Sequence, residues 1–200
     1  MDMKNLVEVL LFASPKPLTQ SRFLQVIENK YSVDLKTVID ELNIEYKKTG
    51  KGLTIQKIGG GYQILSLPIY YVYIERLFDK SRKLMLSKQA LEALSIIAYR
   101  QPVSKTEVES IRGVECGSVL NTLMEWELIT VKGRGKTVGR PLLFGTTLQF
   151  LEVFGLEKTT DLPKLKELSE LMGDNSNPVL WRIINGDIFL ENPNKRGKRA

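Results

Sequence analysis

Apolar positions recur along this chain in two blocks that follow one plan. In the second half, Leu91, Leu94, Ile97 and Ala98 follow one another at helical spacing behind Ser87, a natural N-cap, and Arg100 with Pro102 marks the stop. Ser104 and Glu107 then form an S-x-x-E capping box for a short helix carrying Val108 and Ile111, and Gly113 offers its exit. Val119, Leu120, Leu123 and Trp126 give the stripe of a third helix. Leu128 to Val131 reads as a strand, Gly133-Arg134-Gly135-Lys136-Thr137-Val138-Gly139-Arg140 as a turn, and Pro141 to Phe144 as the returning strand. Helix, short helix, helix and hairpin in this order predict a winged helix-turn-helix.

The first half repeats the plan. Leu6, Val9, Leu10 and Ala13 define one helix, and Leu24 with Ile27 belong to a second, short one after Pro15-Lys16-Pro17. Asp34 is placed as the N-cap of a third helix that ends near Gly50, with Val33 and Val38 as a hydrophobic staple. Gly59-Gly60-Gly61 then turns a hairpin between Thr54–Ile58 and Tyr62–Leu65. The predicted fold class is therefore α+β, mainly helical, with tandem winged helix-turn-helix domains and short β-hairpin wings. Domains are expected at 1–80 and 86–158, with a linker at 81–85 and an extension at 159–200. In the extension, Leu162, Leu165, Leu168 and Met172 suggest a short helix. Val179–Ile184 and Asp187–Leu190 flank Asn185-Gly186 as a second hairpin. That hairpin is too apolar for a solvated tail and is expected to pack on a domain, with docking to a partner as the alternative.

The first block also carries surplus apolar surface. Val7, Leu11 and Phe12 fall off the Leu6/Leu10/Ala13 stripe, and Tyr70, Tyr71, Tyr73, Ile74, Leu77 and Phe78 follow the hairpin. Either a small domain wraps these residues together, or Val7, Leu11, Phe12, Tyr70, Tyr73 and Ile74 form a homodimer interface. Domains of this size bury only about 60% of their unfolded surface, which also favours association.

Composition narrows the function classes. The chain has no histidine and one cysteine, Cys116. The commonest general base is thus missing, and neither a tetrahedral zinc set nor an internal disulfide can be assembled. Asp40-Glu41 and the Glu125/Glu127 pair lie on polar helix faces as solvated charge, and no Gly-Lys-Ser/Thr follows the three glycines, so neither paired carboxylates nor a phosphate cradle indicates an enzyme. No cofactor or metal is expected. The run Leu6 to Ala13 lacks a signal-peptide pattern, and the uncharged stretch from Ile58 to Ile74 is interrupted by the glycines and Pro68, so no membrane span is expected. A single cysteine suits a reducing cytoplasm.

Four blocks carry a family resemblance. Leu94-Ser95-Ile96-Ile97-Ala98-Tyr99-Arg100-Gln101-Pro102-Val103, Ile111-Arg112-Gly113-Val114, Gly139-Arg140-Pro141-Leu142-Leu143-Phe144-Gly145-Thr146-Thr147 and Phe150-Leu151-Glu152-Val153-Phe154-Gly155-Leu156 closely resemble segregation and condensation protein B. The first eighty residues resemble the family more weakly, and the chain after Asp161 hardly at all. The resemblance implies a non-catalytic, cytoplasmic, nucleoid-associated subunit. It would dimerise through its first domain and bind a kleisin, of the segregation and condensation protein A type, through its second. Through the kleisin it would reach the structural-maintenance-of-chromosomes ATPase. Tyr99, Arg112, Trp126 and Arg140 are candidate kleisin contacts, since large aromatic and guanidinium side chains dominate interfaces; Tyr99, Trp126 and Arg140 have a role in holding the core as the alternative. The chain departs from the family pattern at Glu127, where relatives commonly have glycine, and at Glu115-Cys116-Gly117.

A rival reading is a winged-helix transcription regulator. The formal charge of +6 points toward nucleic acid, but its distribution does not. The third helix of the second block offers Glu115, Glu125 and Glu127 and no lysine or arginine, whereas a DNA reader presents basic or amide groups there. Residues 81–130 hold six basic and six acidic side chains, and Lys195, Arg196, Lys198 and Arg199 supply +4 of the total. Weak, nonspecific phosphate contact is therefore assigned to that tail and to Lys132, Arg134 and Lys136 of the wing, with a solvated hairpin as the alternative for the wing.

Overall fold

The computed structural model describes residues 2–77 and 86–162. The chain divides into two compact units between Ser81 and Arg82. The first begins with α1 (Met3–Ala13), where the Asp2 carboxylate accepts the Lys4 N–H at 3.1 Å. Thr19 caps α2 (Gln20–Val26), and Asp34 caps α3 (Leu35–Lys48) through the N–H groups of Lys36 and Thr37. Strands β1 (Leu53–Ile58) and β2 (Gly61–Ser66) pair antiparallel, Ile58 opposite Gly61. Their two-residue turn has φ 56° at Gly59 and 79° at Gly60, and positive φ at both positions is what a type I′ hairpin turn requires. The chain continues through a 3₁₀ turn, Pro68–Tyr70, into α4 (Tyr71–Leu77), a helix that the hydrophobic spacing alone does not announce.

The buried face of α1 is shifted from the expected one, with Leu6 and Leu10 partly buried against the core at its edge. Val7 is 0% and Leu11 3% exposed, packed with Phe23, Leu35, Ile39, Leu42 and Tyr46, so neither meets a second copy. Val9 and Ala13 face outward instead, and Phe12 is 85% exposed. Polar contacts accompany this orientation. Glu8 Oε1 accepts the Tyr46 hydroxyl at 2.8 Å and Lys51 Nζ at 3.1 Å. Those contacts tie Glu8 to α3 and to Lys51 beyond it, beside the face on which Val7 and Leu11 pack.

In the second unit α5 (Lys88–Arg100) starts at Ser87, whose hydroxyl oxygen accepts the Ala90 N–H. A two-residue strand, β3 (Val103–Ser104), leads into α6 (Lys105–Arg112), which ends on Gly113 in the left-handed conformation at φ 73°. Next come α7 (Gly117–Glu125), β4 (Ile129–Arg134), β5 (Leu142–Thr146) and α8 (Leu148–Phe154). The sheet order is β3-β5-β4, all antiparallel, with Val103 opposite Phe144 and Ile129 opposite Thr146. Its core centres on Leu94, Ile97, Leu120, Leu123, Leu128 and Phe150. The expected linker at 81–85 and the expected helix and hairpin beyond Leu162 lie outside the described residues.

Glu127 sits between α7 and β4 at φ 55°. The Leu128 N–H reaches the Leu123 carbonyl and the Glu127 N–H that of Met124, both at 2.9 Å, a Schellman ending whose left-handed position glycine normally fills. The helix end is kept, with the backbone strained. Glu127→Gly should therefore raise stability by about 0.5–1 kcal/mol, the relief of a left-handed non-glycine residue less the added freedom of the unfolded chain. Thermal unfolding checks this as an increase of a few degrees.

Candidate partner-binding surface

Local capping sets the frame of the second unit. Glu107 Oε2 accepts the Ser104 N–H at 2.7 Å and the Ser104 hydroxyl at 2.6 Å, while Ser104 Oγ accepts the Glu107 N–H at 3.3 Å. One residue pair thus ends β3 and starts α6. Glu109 on the same helix accepts the Cys116 N–H at 2.9 Å and lies 3.4 Å from Lys105 Nζ, holding the loop that enters α7. Cys116 has no capping side-chain bond of its own, and burial pushes its thiol above the usual range. Among the described residues no group of three or more histidine, cysteine or carboxylate side chains is arranged to hold a metal ion.

These carboxylates make the unit acid-sensitive. The Ser104 hydroxyl, then its N–H, holds Glu107 below the ordinary value of 4.5, and the Cys116 N–H does the same for Glu109. A depressed folded value means that the stabilisation is complete above the unfolded value and is lost as pH falls through the folded one. The melting temperature should accordingly fall as pH drops below about 5, and Glu107→Gln should flatten that dependence in a series of melts.

With the frame set, α5, α6 and α8 leave an apolar groove of about 320 Å³ between them. Leu91 and Tyr99 from α5, Ile111 from α6, Phe150 and Phe154 from α8, and Leu162 line it. Phe150 and Phe154 meet at a 4.6 Å centroid separation, tilted by 44°. Ile111 is 54% exposed. Apart from Tyr99 these residues are absent from the expected site, although Ile111 and the two phenylalanines lie within the blocks that carry the resemblance. Their convergence depends on three helices meeting, which no local spacing encodes.

The four candidate kleisin contacts do not converge. Tyr99 lies in the groove. Arg112 follows Ile111 with its side chain 4% exposed; Nη2 is 3.5 Å from Glu92 Oε2, and Nε and Nη1 are buried without a hydrogen-bond partner among the described residues. Trp126 packs partly buried against the core and borders a smaller depression of about 230 Å³ with Leu86, Ala90 and Val119. Arg140 is exposed on the connection between β4 and β5 at φ 42°, its carbonyl accepting Arg134 Nη1 at 3.3 Å. Lys132, Arg134 and Lys136 are exposed along the same hairpin, and α7 presents no cation. Lys195, Arg196, Lys198 and Arg199 lie outside the described residues. In the first unit, Tyr70, Tyr73 and half-buried Ile74 lie on the Pro68–Leu77 segment beside exposed Ile69, Val72 and Leu77.

Residues 5–165 match the family model described as segregation and condensation complex subunit ScpB. Segregation and condensation protein B of Desulforamulus reducens is 45% identical over 164 residues, covering 82% of this chain and 90% of that protein. The Syntrophotalea carbinolica protein of the same name is 39% identical over 170 residues, 85% of each. A solved dimer of the ScpB N-terminal domain complexed with ScpA peptide is 28% identical, covers 38% of this chain and 93% of that one, and has a TM-score of 0.32. The chain belongs to the ScpB family of segregation and condensation complex subunits.

Proposed function

We propose that this subunit is a non-catalytic homodimeric scaffold whose second unit holds a kleisin of the ScpA type and so reaches the structural-maintenance-of-chromosomes ATPase at the nucleoid, in the cytoplasm. The observation that carries the reading is the groove beside Tyr99, an apolar surface with Arg100 at its lining, on a unit whose α7 has no basic residue. Each unit is a winged helix by its order of three helices and a hairpin, with β3 completing the second sheet as the short first strand of such a domain. The boundaries follow as 1–80 for dimerisation and 86–158 for kleisin binding, with 159–200 as an extension. The dimer surface is reduced to Phe12, Tyr70, Tyr73 and Ile74, since Val7 and Leu11 are interior.

Among the four candidate contacts Tyr99 is the strongest and Trp126 the most structural. Tyr99→Ala should weaken kleisin binding at least tenfold, about 1.4 kcal/mol, with little change in melting temperature. Trp126→Ala should lower both together. Affinity and melting curves measured on the same variants test the assignment; a Tyr99→Ala protein that binds as tightly as the parent defeats it. Exposed Lys132, Arg134 and Lys136 give DNA at most a weak, salt-sensitive contact, and a transcription regulator is not favoured.

A further inference from the structure

We propose that Arg112 is the receptor for a carboxylate of the bound kleisin, which takes the guanidinium over from Glu92 and so fixes the partner's register along the groove. The inference rests on the groove being the kleisin site and adds the charge that its occupant must carry. The Arg112 side chain is only 4% exposed, yet its ion pair with Glu92 spans 3.5 Å, the outer limit of a hydrogen bond. Nε and Nη1 have no hydrogen-bond partner among the described residues. The other carboxylates of α6 are committed elsewhere: Glu109 takes the Cys116 N–H and Lys105, and Glu107 takes both Ser104 donors. A buried cation left short of acceptors is destabilising, and a protein retains such a group where a functional state satisfies it.

Glu92, Ser95, Ile96 and Tyr99 recur at i, i+3, i+4 and i+7 on α5, and the last three line the groove. The Arg112–Glu92 pair therefore stands one turn beyond the groove on the same face of α5, while Ile111 lines the groove from α6. The Glu92 side chain is 62% exposed, so this is the side from which a partner approaches, and the displaced carboxylate returns to water. An arriving carboxylate offers two oxygens to the planar fork, which the single long contact to Glu92 leaves mostly unused. The occupant this fits is a kleisin segment with apolar side chains for the groove and an aspartate or glutamate about 5 Å, one turn of α5, beyond them.

The test measures two quantities on the full chain, with the purified ScpA-type kleisin of the same cell as probe. Arg112→Met keeps the aliphatic stem and removes the charge. It should weaken kleisin binding at least tenfold, while the melting temperature of the free subunit stays level or rises by a few degrees because the poorly paired charge is gone. Arg112→Gln should behave in the same way. Changing the kleisin's acidic residues one at a time to their amides should find one that weakens binding to the parent tenfold and has no further effect on the Arg112→Met protein. Unchanged affinity in both Arg112 variants overturns the proposal, as does a kleisin series in which no acidic residue matters. A melting temperature that falls in step with affinity overturns it too, by giving Arg112 a partner inside the chain. Tyr99→Ala separates this inference from the reading beneath it. If that change weakens binding and the Arg112 variants do not, the groove holds the kleisin without the carboxylate; if none of the three has an effect, both fail.

Discussion

Replacing Phe12 and Tyr73 together with glutamate should leave the chain monomeric at tens of micromolar, a concentration at which the parent is expected to be dimeric by light scattering or sedimentation. Phe12 is 85% and Tyr73 67% exposed in the isolated chain, so neither contributes to its interior. Surface changes of this kind usually alter stability by no more than about 0.5 kcal/mol. In a two-fold interface every residue is used twice, and burying a carboxylate without a partner costs several kcal/mol, so four new charges would weaken association by many orders of magnitude. The single changes rank the two surfaces. Tyr73→Glu acting alone would put the contact on α4, and Phe12→Glu alone would put it on α1. A double variant that remains dimeric removes the first unit as the dimerisation surface and leaves kleisin binding untouched.

Phe150→Ala should cost about 3–5 kcal/mol of stability in the second unit. Its ring is buried, forms part of the groove and packs against Phe154, so truncation opens a cavity where α8 meets α5. Small domains have only about 5–15 kcal/mol in hand, so the unit should lose a large part of its stability. Urea unfolding followed by circular dichroism measures the loss. Phe150→Leu, which keeps most of the volume, should restore more than half of it; a Phe150→Ala protein as stable as the parent would mean that α8 is not part of the cooperative core.

The features readable in the sequence are those whose cause is local. Ser87, Asp34 and the Ser104/Glu107 pair cap helices through groups two or three residues away, and Gly59 with Gly60 turns a hairpin within two residues. The buried side of α1 was not readable, because Leu6, Val7, Val9, Leu10, Leu11 and Phe12 clothe almost the whole helix in apolar side chains. What sets the buried side is packing with distant residues: Val7 and Leu11 join the cluster of Phe23, Leu35, Ile39 and Leu42, and Glu8 meets Tyr46, 38 positions away. Likewise α4 follows Pro68 without clear amphipathic spacing, and β3 is a strand only because β5 lies beside it. The candidate site shares this limit. Tyr99 and Arg112 stand out by chemical type, whereas the groove arises from three helices with Leu162 at its edge.

The pairing of β3 with β5 also orders events during folding. Ser104 both ends that strand and starts α6, yet Val103 and Ser104 pair with Phe144 and Leu143, about forty residues later. The helices α5 to α7 can gather through nearby contacts, but the link between the first two is locked only when β5 arrives. Contacts of such sequence separation slow folding. A chain emerging from the ribosome would therefore hold its first unit complete while the second waits on residues 142–146. Lengthening the β4–β5 connection between Gly135 and Gly139 should delay the second unit and leave the first unchanged.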